Sequence, residues 1–435
     1  MYIIFYPALL LLLFTGARLC KKGQWNEEVL SFSRTKAFLG FCAVLILFHH
    51  ASQRTCAPWL APEVIRHGLD AFVYTGYLCV AVFFFCSGYG VYTAHFKKGF
   101  FDRFAARRIL PVLTPALIMW LVFFVIEKAK HIPVEEPVWL GTYDYIWYVP
   151  AMIYLYLLFW LSFKIVKKDK LSMAVMIIGT LLHFFLCMFF SPGTWWYNTP
   201  FLFVLGIAAA RHKEGLLSFF KKAYPLWLIL SFVITAAGFA FAAYYSDIIA
   251  LWGGVYTEAG HFYGELIGQL VSAVSFVCFV LLAGMKIRIG NPVLRFLGVF
   301  TLEFYLVHPL FVQLFGFAFV NNMTEPVFYI EDPFLYVLAV IVLTIPIAYG
   351  LHLLMNALWK REKKDTASAA VGPAAYDPAV KKPLIKASIC NGEQVAGFKD
   401  LHTGAFEEIM LIRNEADLAA FKRQYGITDK IEKIY

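Results

Sequence analysis

Long apolar segments separated by polar connections dominate the pattern along this chain. A helix needs about 20 residues to cross the hydrocarbon core of a bilayer, and most of these segments are close to that length. The pattern predicts an all-α polytopic membrane protein with about 11 transmembrane helices. We place them, to within a few residues, at 2–17, 36–53, 71–95, 109–127, 145–163, 172–190, 199–210, 226–246, 262–285, 298–320 and 334–358.

The connections between these segments alternate in charge. Five of them together carry 20 Lys and Arg residues, and the five that alternate with them carry 4. Basic connections favour the cytoplasmic side of a membrane. We therefore expect an integral cell-membrane protein with its N-terminus outside and its C-terminus in the cytoplasm. The basic connections are 18–35, 96–108, 164–171, 211–225 and 286–297.

Composition supports this class of protein. Of 435 residues, 60% are hydrophobic and only 15% are charged, whereas a soluble globular chain has about a quarter of its residues charged. The formal net charge of +9 needs no nucleic-acid partner, because basic anchors at the cytoplasmic face explain it. Anionic membrane lipids are the partners that such anchors imply.

The C-terminal part differs from the rest. Residues 1–358 form the predicted membrane domain, and 359–383 are predicted to be a flexible linker. In 384–435, apolar and polar residues again alternate in a way that predicts a small cytosolic α+β appendage. A hairpin turning at Asn391 and Gly392, a strand EEIMLIR and a helix from Asn414 to Gly426 are predicted there. This appendage contains no recognisable catalytic constellation, and binding of a cytosolic partner stays open.

Two adjacent histidines, His49 and His50, end the second apolar segment, FLGFCAVLILFHHASQ. An imidazole at membrane depth costs free energy, and histidine is the side chain best suited to move a proton near neutral pH. A helix that begins near Lys36 places His50 roughly 21 Å along its axis, in the outer half of the bilayer. Because successive helical positions differ by about 100°, we expect only one of the two to face a pocket.

The third segment and the basic connection that follows it carry two further candidates. Ser87 lies in VAVFFFCSGYGVY, where the small residues favour either close helix packing or a local distortion. Arg103, Arg107 and Arg108 lie in KKGFFDRFAARRILP. Guanidinium groups suit phosphates, although ordinary anchoring at the cytoplasmic face explains the same cluster.

The tenth segment, GVFTLEFYLVHPLF, contains Glu303, Tyr305 and His308. Helical spacing puts Tyr305 and His308 on one face and Glu303 on another, so a direct pair between Glu303 and His308 is not expected. Ionisable side chains at this depth are usually functional or paired between helices.

Several outer positions complete the candidates. Trp147 and Tyr148 fit either an interfacial aromatic belt or a platform for a sugar ring. Glu258, His261 and Glu265 cluster at the outer start of the ninth segment, but their spacing is not diagnostic of a metal or acceptor site. No Cys-x-x-Cys zinc pattern occurs, and we predict no metal.

The order of these motifs resembles the acyltransferase 3 family of integral membrane O-acyltransferases over about 30–320. The resemblance implies a core of about ten helices, acetyl-CoA or another acyl-CoA as donor, and a hydroxyl of an extracytoplasmic or lipid-linked carbohydrate as acceptor. The register favours His50 as the family's key histidine. Where the family commonly places Arg or Lys eleven residues earlier, this chain has Leu39. The motifs are HH, VFFFCSGYG, RFAARRILP, IWYVPAMIYLY, FLFVLGI and LGVFTLEFYLVHPL.

The resemblance implies a role in acyl transfer for each candidate residue. His50 is the base or transiently carries the acetyl group, and the three arginines hold the donor's phosphates. The alternative is a proton-coupled transporter or flippase of a glycan or lipid, and a scaffold that presents the C-terminal appendage is a third reading. Residues expected to line or support the substrate path are His49, Ser87, Glu303, Tyr305 and His308, and those expected to bind the acceptor are Trp147 and Tyr148.

Overall fold

The chain divides into two compact units, Met1–Met355 and Asn356–Tyr435. The fold was examined in a computed structural model. It describes residues 4–129, 144–190, 193–316, 328–367, 377–387, 394–401, 406–412, 415–429 and 431–434.

The first unit is built from α-helices, and each of the eleven predicted segments contains one. Two π-helical turns, Ala105–Ile109 and Leu161–Val166, extend α4 and α5. The helices are α1 Phe5–Phe14, α2 Phe32–Gln53, α3 Gly76–His95, α4 Leu110–Ala129, α5 Tyr148–Trp160, α6 Asp169–Phe190, α7 Leu202–Arg211, α8 Lys213–Lys222, α9 Tyr224–Ala243, α10 Tyr245–Leu251, α11 Glu258–Lys286, α12 Pro292–Leu297, α13 Thr301–Phe315 and α14 Pro333–Ala367.

Eight helices within the described residues are long and apolar enough to cross a membrane. The predicted count of eleven is therefore not confirmed. Helices α1, α7 and α13 have 10, 10 and 15 residues, so at about 1.5 Å per residue they reach only about 15–22 Å of the about 30 Å hydrocarbon core. Hydropathy overestimates their length because it counts apolar residues whether or not their backbone is helical.

Contacts between connections support their predicted alternation. Strand β1, Arg18–Leu19, pairs antiparallel with β2, Ile287–Arg288, and so joins the first basic connection to the last. This short ladder is an exception to the all-α prediction for the membrane unit. Nζ of Lys221 donates a hydrogen bond of 2.8 Å to Glu27, which adds the connection after α7.

The remaining two basic connections join the same end of the helices. Arg211 forms an ion pair with Asp169, and the ammonium group of Lys164 lies 5.8 Å from the centroid of the Phe101 ring. All five basic connections thus meet at one end, as alternation requires. Which membrane face this end occupies stays a prediction.

The helices pack through close backbone contacts. Helix α9 packs along α11, α3 along α7, and α12 and α13 on α2. A Cβ atom at Gly88 would overlap the carbonyl of Phe203, and one at Gly206 would overlap the carbonyl of Phe85. The glycine beside Ser87 therefore serves the packing of α3 on α7, the structural reading of that motif.

The second unit contains a four-stranded sheet whose strands lie in the order Phe406–Ile412 (β5), Gln394–Asp400 (β4), Lys381–Ala387 (β3) and Glu432–Ile434 (β6), with β6 parallel to β3. Phe398 on β4 and Phe421 on the helix belong to its buried core, and Gly426, with φ +66°, follows the helix end. An α+β unit is thus present. Its elements are β3 Lys381–Ala387, β4 Gln394–Asp400, β5 Phe406–Ile412, α15 Glu415–Tyr425 and β6 Glu432–Ile434.

The predicted turn, helix cap and linker of the C-terminal part compare with the structure as follows. The expected turn at Asn391 and Gly392 and the expected cap at Asn414 lie outside the described residues. Helix α14 continues to Ala367, and β3 begins at Lys381. Regular structure therefore enters both ends of the predicted 359–383 linker, because lysine and glutamate tolerate a helix and β3 is held by its pairing with β4.

Candidate active site

A cavity of about 490 Å³ opens where α2 ends and α3 begins, at the end of the bundle opposite the basic connections. It is bounded by α2, α3, α9, α11 and α13, by the loop between α2 and α3, and by the segments that precede α5 and α7. Both polar and apolar groups reach it. Its polar lining includes His49, His50, Gln53, Arg54, Glu265 and Gln269.

His50 has a buried partner on a distant helix. Its Nδ1 atom lies 2.7 Å from Nε2 of His308, and the planes of the two rings are inclined by only 14°, with centroids 4.9 Å apart. Nδ1 of His308 lies 2.9 Å from the carbonyl oxygen of Phe304. His50 is 8% exposed and lines the cavity, whereas His308 is fully buried behind it.

The Phe304 carbonyl determines how protons are placed in this pair. A carbonyl only accepts, so Nδ1 of His308 carries the proton and its Nε2 is an acceptor. With both imidazoles neutral, Nδ1 of His50 then donates to His308. The unprotonated nitrogen of His50 is consequently Nε2, the tautomer that a base or a nucleophile requires.

His49 lines the same cavity as His50, so the prediction that only one of them faces a pocket was wrong. The cavity wraps around the end of α2, and positions about 100° apart both open onto it. Nδ1 of His49 lies 3.0 Å from the carbonyl oxygen of Phe72. A Cβ atom at Gly76 would overlap the imidazole of His49, so the first residue of α3 must be small.

The predicted aromatic pair divides between two cavities. Trp147 and Tyr305 line the cavity that contains His50. Tyr148 and Tyr305 line an adjacent, smaller cavity of about 50 Å³, which also contains Thr301. The rings of Tyr148 and Tyr305 meet at 5.7 Å, and the ring of Tyr305 lies 6.4 Å from that of His50. Tyr305 therefore separates the two spaces.

Ser87 and Arg108 lie further toward the basic end. The hydroxyl of Ser87 interacts with the phenols of Tyr148 and Tyr156, and the charge of Arg108 acts on Tyr156. The guanidinium of Arg108 lies 5.4 Å from the centroid of the Phe100 ring. These interactions link the small cavity, which Tyr148 lines, to the basic connection that carries Arg108.

The other two arginines are exposed. Nη1 of Arg107 donates to the carbonyl of Gly99 at 3.2 Å, and Arg103 lies in the same connection. Neither lines the large cavity. The structure thus keeps the arginine cluster at one end of the bundle and His50 toward the other.

Glu303 faces away from His308, as the helical spacing predicts. Its Oε1 atom lies 2.9 Å from Nδ1 of His352 on α14, and both side chains are largely buried. Glu303 is not part of the lining of either cavity described above. It ties α13 to α14, a pairing that sequence reasoning missed because His352 lies in a segment with no other signal.

Sequence reasoning also missed polar residues of the cavity. Arg54 lies one helical turn after His50, so the i, i+4 relationship was an available signal. Asn198, Glu265 and Gln269 line the opposite wall. Of these, the sequence pattern indicates only Glu265, and its neighbours Glu258 and His261 do not line the cavity.

Leu39 lines a separate apolar cavity of about 340 Å³ together with Phe41, Leu45 and Phe85. An apolar side chain suits the mostly apolar lining around Leu39, although the cation of Arg288 also lines this cavity. Within the described ranges, no group of three or more His, Cys, Asp or Glu side chains is arranged to hold a metal ion.

Comparison with known families gives a match that includes both histidines of the pair. The model of the acyltransferase 3 family, described as an acyltransferase domain, matches residues 40–353, more than half of the chain. Searches of curated proteins and of solved structures found no match. Apolar helices of spanning length and the family match together indicate an integral membrane enzyme. The chain belongs to the acyltransferase 3 family and is an acyltransferase.

Proposed function

We propose that this enzyme is a membrane O-acyltransferase that moves an acyl group, in the first place acetyl, from acyl-CoA to a hydroxyl of an extracytoplasmic or lipid-linked carbohydrate. The observation that carries the proposal is the hydrogen bond between His50 and His308 at the wall of the large cavity. The transporter alternative is set aside because the family match indicates an acyltransferase.

The reaction needs a group that takes a proton and returns it. Nε2 of His50 accepts the proton of the acceptor hydroxyl while the oxygen attacks the thioester carbonyl. The tetrahedral intermediate then collapses, the carbon–sulfur bond breaks, and the His50 imidazolium returns the proton to the leaving thiolate. The products are an ester and CoA, and a base of this kind typically contributes about 10²–10⁴-fold.

His308 positions the base in this proposal. Its hydrogen bond fixes the ring orientation and tautomer of His50, and it stabilises the imidazolium as that forms. Arg54 also lines the cavity one turn from His50, and its positive charge suits a developing oxyanion. In the second version of the mechanism, Nε2 of His50 attacks the thioester carbonyl and CoA leaves as its thiolate. The acceptor hydroxyl then displaces the acetyl group from Nε2, and its proton passes through the imidazole to the thiolate.

The donor is proposed to enter from the basic end. Arg103, Arg107 and Arg108 supply guanidinium groups for the phosphates of CoA. The contacts from Arg108 past Ser87 to the small cavity beside Tyr305 mark the side along which the thioester would approach His50. A space of about 50 Å³ suits a short acyl group, which supports acetyl over a long chain.

The acceptor is proposed to occupy the large cavity. Aromatic side chains offer apolar faces on which a sugar ring can stack, beside polar groups for its hydroxyls. Trp147 lines this cavity, which supports the acceptor-binding role proposed for it. Tyr148 does not line this cavity and instead supports Tyr305. The other Trp, Tyr and Phe residues at this cavity are Trp59, Tyr74, Tyr77, Trp195, Phe239 and Tyr305.

Membranes that contain the enzyme can be incubated with labelled acetyl-CoA, and the label in glycan and lipid fractions measured. His50→Ala is expected to abolish transfer while the protein stays in the membrane. His183→Ala is the matched control, since His183 contacts the carbonyl of Trp196 and lies outside the cavity. Full transfer by His50→Ala would overturn the proposal. Uptake of glycan into vesicles without acyl-CoA would favour a transporter.

A further inference from the structure

A row of three hydrogen-bonded side chains lies on the cavity wall opposite α2. Nδ2 of Asn198 lies 2.9 Å from Oε1 of Gln269, and Nε2 of Gln269 lies 2.7 Å from Oε1 of Glu265. All three line the cavity. Asn198 and Gln269 are 2% and 9% exposed, whereas Glu265 is half-buried.

The direction of this row follows from chemistry. The Glu265 carboxylate only accepts, so the Gln269 amide must donate to it, and the Gln269 oxygen must accept from Asn198. The row thus holds the carboxylate in place from behind. Its remaining lone pairs accept hydrogen bonds, so this wall suits ligand groups that donate, such as hydroxyl or ammonium groups.

The surroundings of Glu265 indicate a sugar ring. Its charge acts on the phenols of Tyr74 and Tyr77, which also line the cavity. Aromatic faces beside a carboxylate match the alternation of C–H faces and O–H edges on a saccharide. The two charged side chains of opposite sign line different walls of the cavity, with Arg54 on the α2 side and Glu265 on the α11 side.

We propose that Glu265, held by Gln269 and Asn198, binds the hydroxyls of the acceptor and selects a sugar ring that is neutral where it faces α11. A ring with a carboxylate at that position is disfavoured because two like charges would meet in a partly desolvated space. This inference rests on the proposed use of the cavity for the acceptor, and it adds the residue that determines acceptor specificity.

Binding without acyl-CoA tests the proposal directly. The probes are 4-nitrophenyl β-D-glucoside and 4-nitrophenyl β-D-glucuronide, which differ only in the carboxylate at C6. The nitrophenyl group quenches tryptophan fluorescence, and three tryptophans line the cavity. The purified full-length enzyme is expected to bind the glucoside about 10-fold more tightly than the glucuronide, as loss of one hydrogen bond to a charged group would give.

Glu265→Gln is expected to weaken glucoside binding about 10-fold and to bring the two probes to similar affinities. Glu258→Gln is the matched control, because Glu258 lies on the same helix but is exposed and outside the cavity. Should Glu265→Gln fail to fold, Glu265→Asp keeps the charge and is expected to retain the preference with weaker binding. An unchanged preference in Glu265→Gln overturns the inference.

The failure of this inference is distinguishable from failure of the proposed function. His50→Ala is expected to lose acetyl transfer and keep the preference for the glucoside. A His50→Ala enzyme that transfers normally would overturn the proposed function and leave the binding preference standing. If His50→Ala loses transfer as expected but the wild-type enzyme binds the two probes equally, only the inference about Glu265 is overturned.

Discussion

Nδ1 of His50 and Nε2 of His308 lie 2.7 Å apart, although 258 positions separate the two residues in the chain. The hydrogen bond joins the C-terminal end of α2 to the middle of α13. His308 in turn donates to the Phe304 carbonyl of its own helix. The backbone of α13 thereby determines which nitrogen of His50 is unprotonated at the cavity.

Replacement of His308 tests whether it positions His50. His308→Leu removes the acceptor, and we expect kcat to fall on the order of 10²-fold with the KM for acyl-CoA little changed. His308→Gln places an amide oxygen near the position of Nε2 and is expected to recover part of the loss. Equal activity of the two variants, at equal amounts of folded protein, would contradict a positioning role.

The contact between Gly76 and His49 should appear in stability. Gly76→Ala adds a methyl group that overlaps the imidazole, so we expect a loss of about 1–3 kcal/mol in unfolding free energy. In a His49→Ala background the same substitution should cost much less, because the overlapping ring is gone. Thermal unfolding of the four proteins in detergent measures the coupling. Additive effects would show that the contact is not responsible.

Glu303 is expected to matter for stability more than for chemistry. Glu303→Ala leaves the partly buried His352 without its carboxylate partner and should destabilise the enzyme by about 2 kcal/mol. Glu303→Gln keeps an acceptor oxygen and should be milder. Acetyl transfer per folded molecule is expected to stay within a few-fold of wild type in Glu303→Gln. A complete loss of transfer in well-folded Glu303→Gln would place Glu303 in the chemistry instead.

Cys56, in the loop after α2, should be a poor nucleophile in the folded enzyme. Burial raises the pKa of its thiol to about 11. At pH 8 the thiolate fraction is then about 10²-fold lower than for an unperturbed thiol. The neutral thiol also adds stability that is present below about pH 9 and is lost as the pH rises through about 11.

Alkylation of Cys56 by iodoacetamide, followed by mass spectrometry, checks this expectation. At pH 8 the reaction should be slow in the native enzyme and fast in denaturant, and it should accelerate in the native enzyme as the pH approaches 11. Equal rates in the native and denatured protein at pH 8 would contradict it.

Orientation can be checked with a membrane-impermeant thiol reagent on intact cells. Val255 lies in the connection before α11 and is 86% exposed, whereas Leu19 on β1 at the basic end is 76% exposed. We expect Val255→Cys to be labelled above the wild-type background and Leu19→Cys to be labelled only after the cells are opened. The reverse pattern would invert the predicted topology.

Much of the fold follows from the sequence. All eleven apolar segments contain a helix. The five basic connections, which the charge pattern predicts to lie on one side, do meet at one end of the bundle. Hydropathy and charge act locally, because each segment partitions into lipid or water by its own composition. The lengths of α1, α7 and α13 did not follow, since where a helix ends depends on backbone geometry as well as on apolar content.

The candidate site shows the same division. The sequence alone singled out His50, Tyr305 and His308, because ionisable and polar side chains at membrane depth are costly and therefore conspicuous. Only the tertiary structure decided their relationships. In the folded protein His50 is hydrogen-bonded to His308, Glu303 contacts His352, and both His49 and His50 line one cavity. These outcomes depend on how helices far apart in the chain pack, and a hydrogen bond requires atoms within about 3 Å, which no local periodicity specifies.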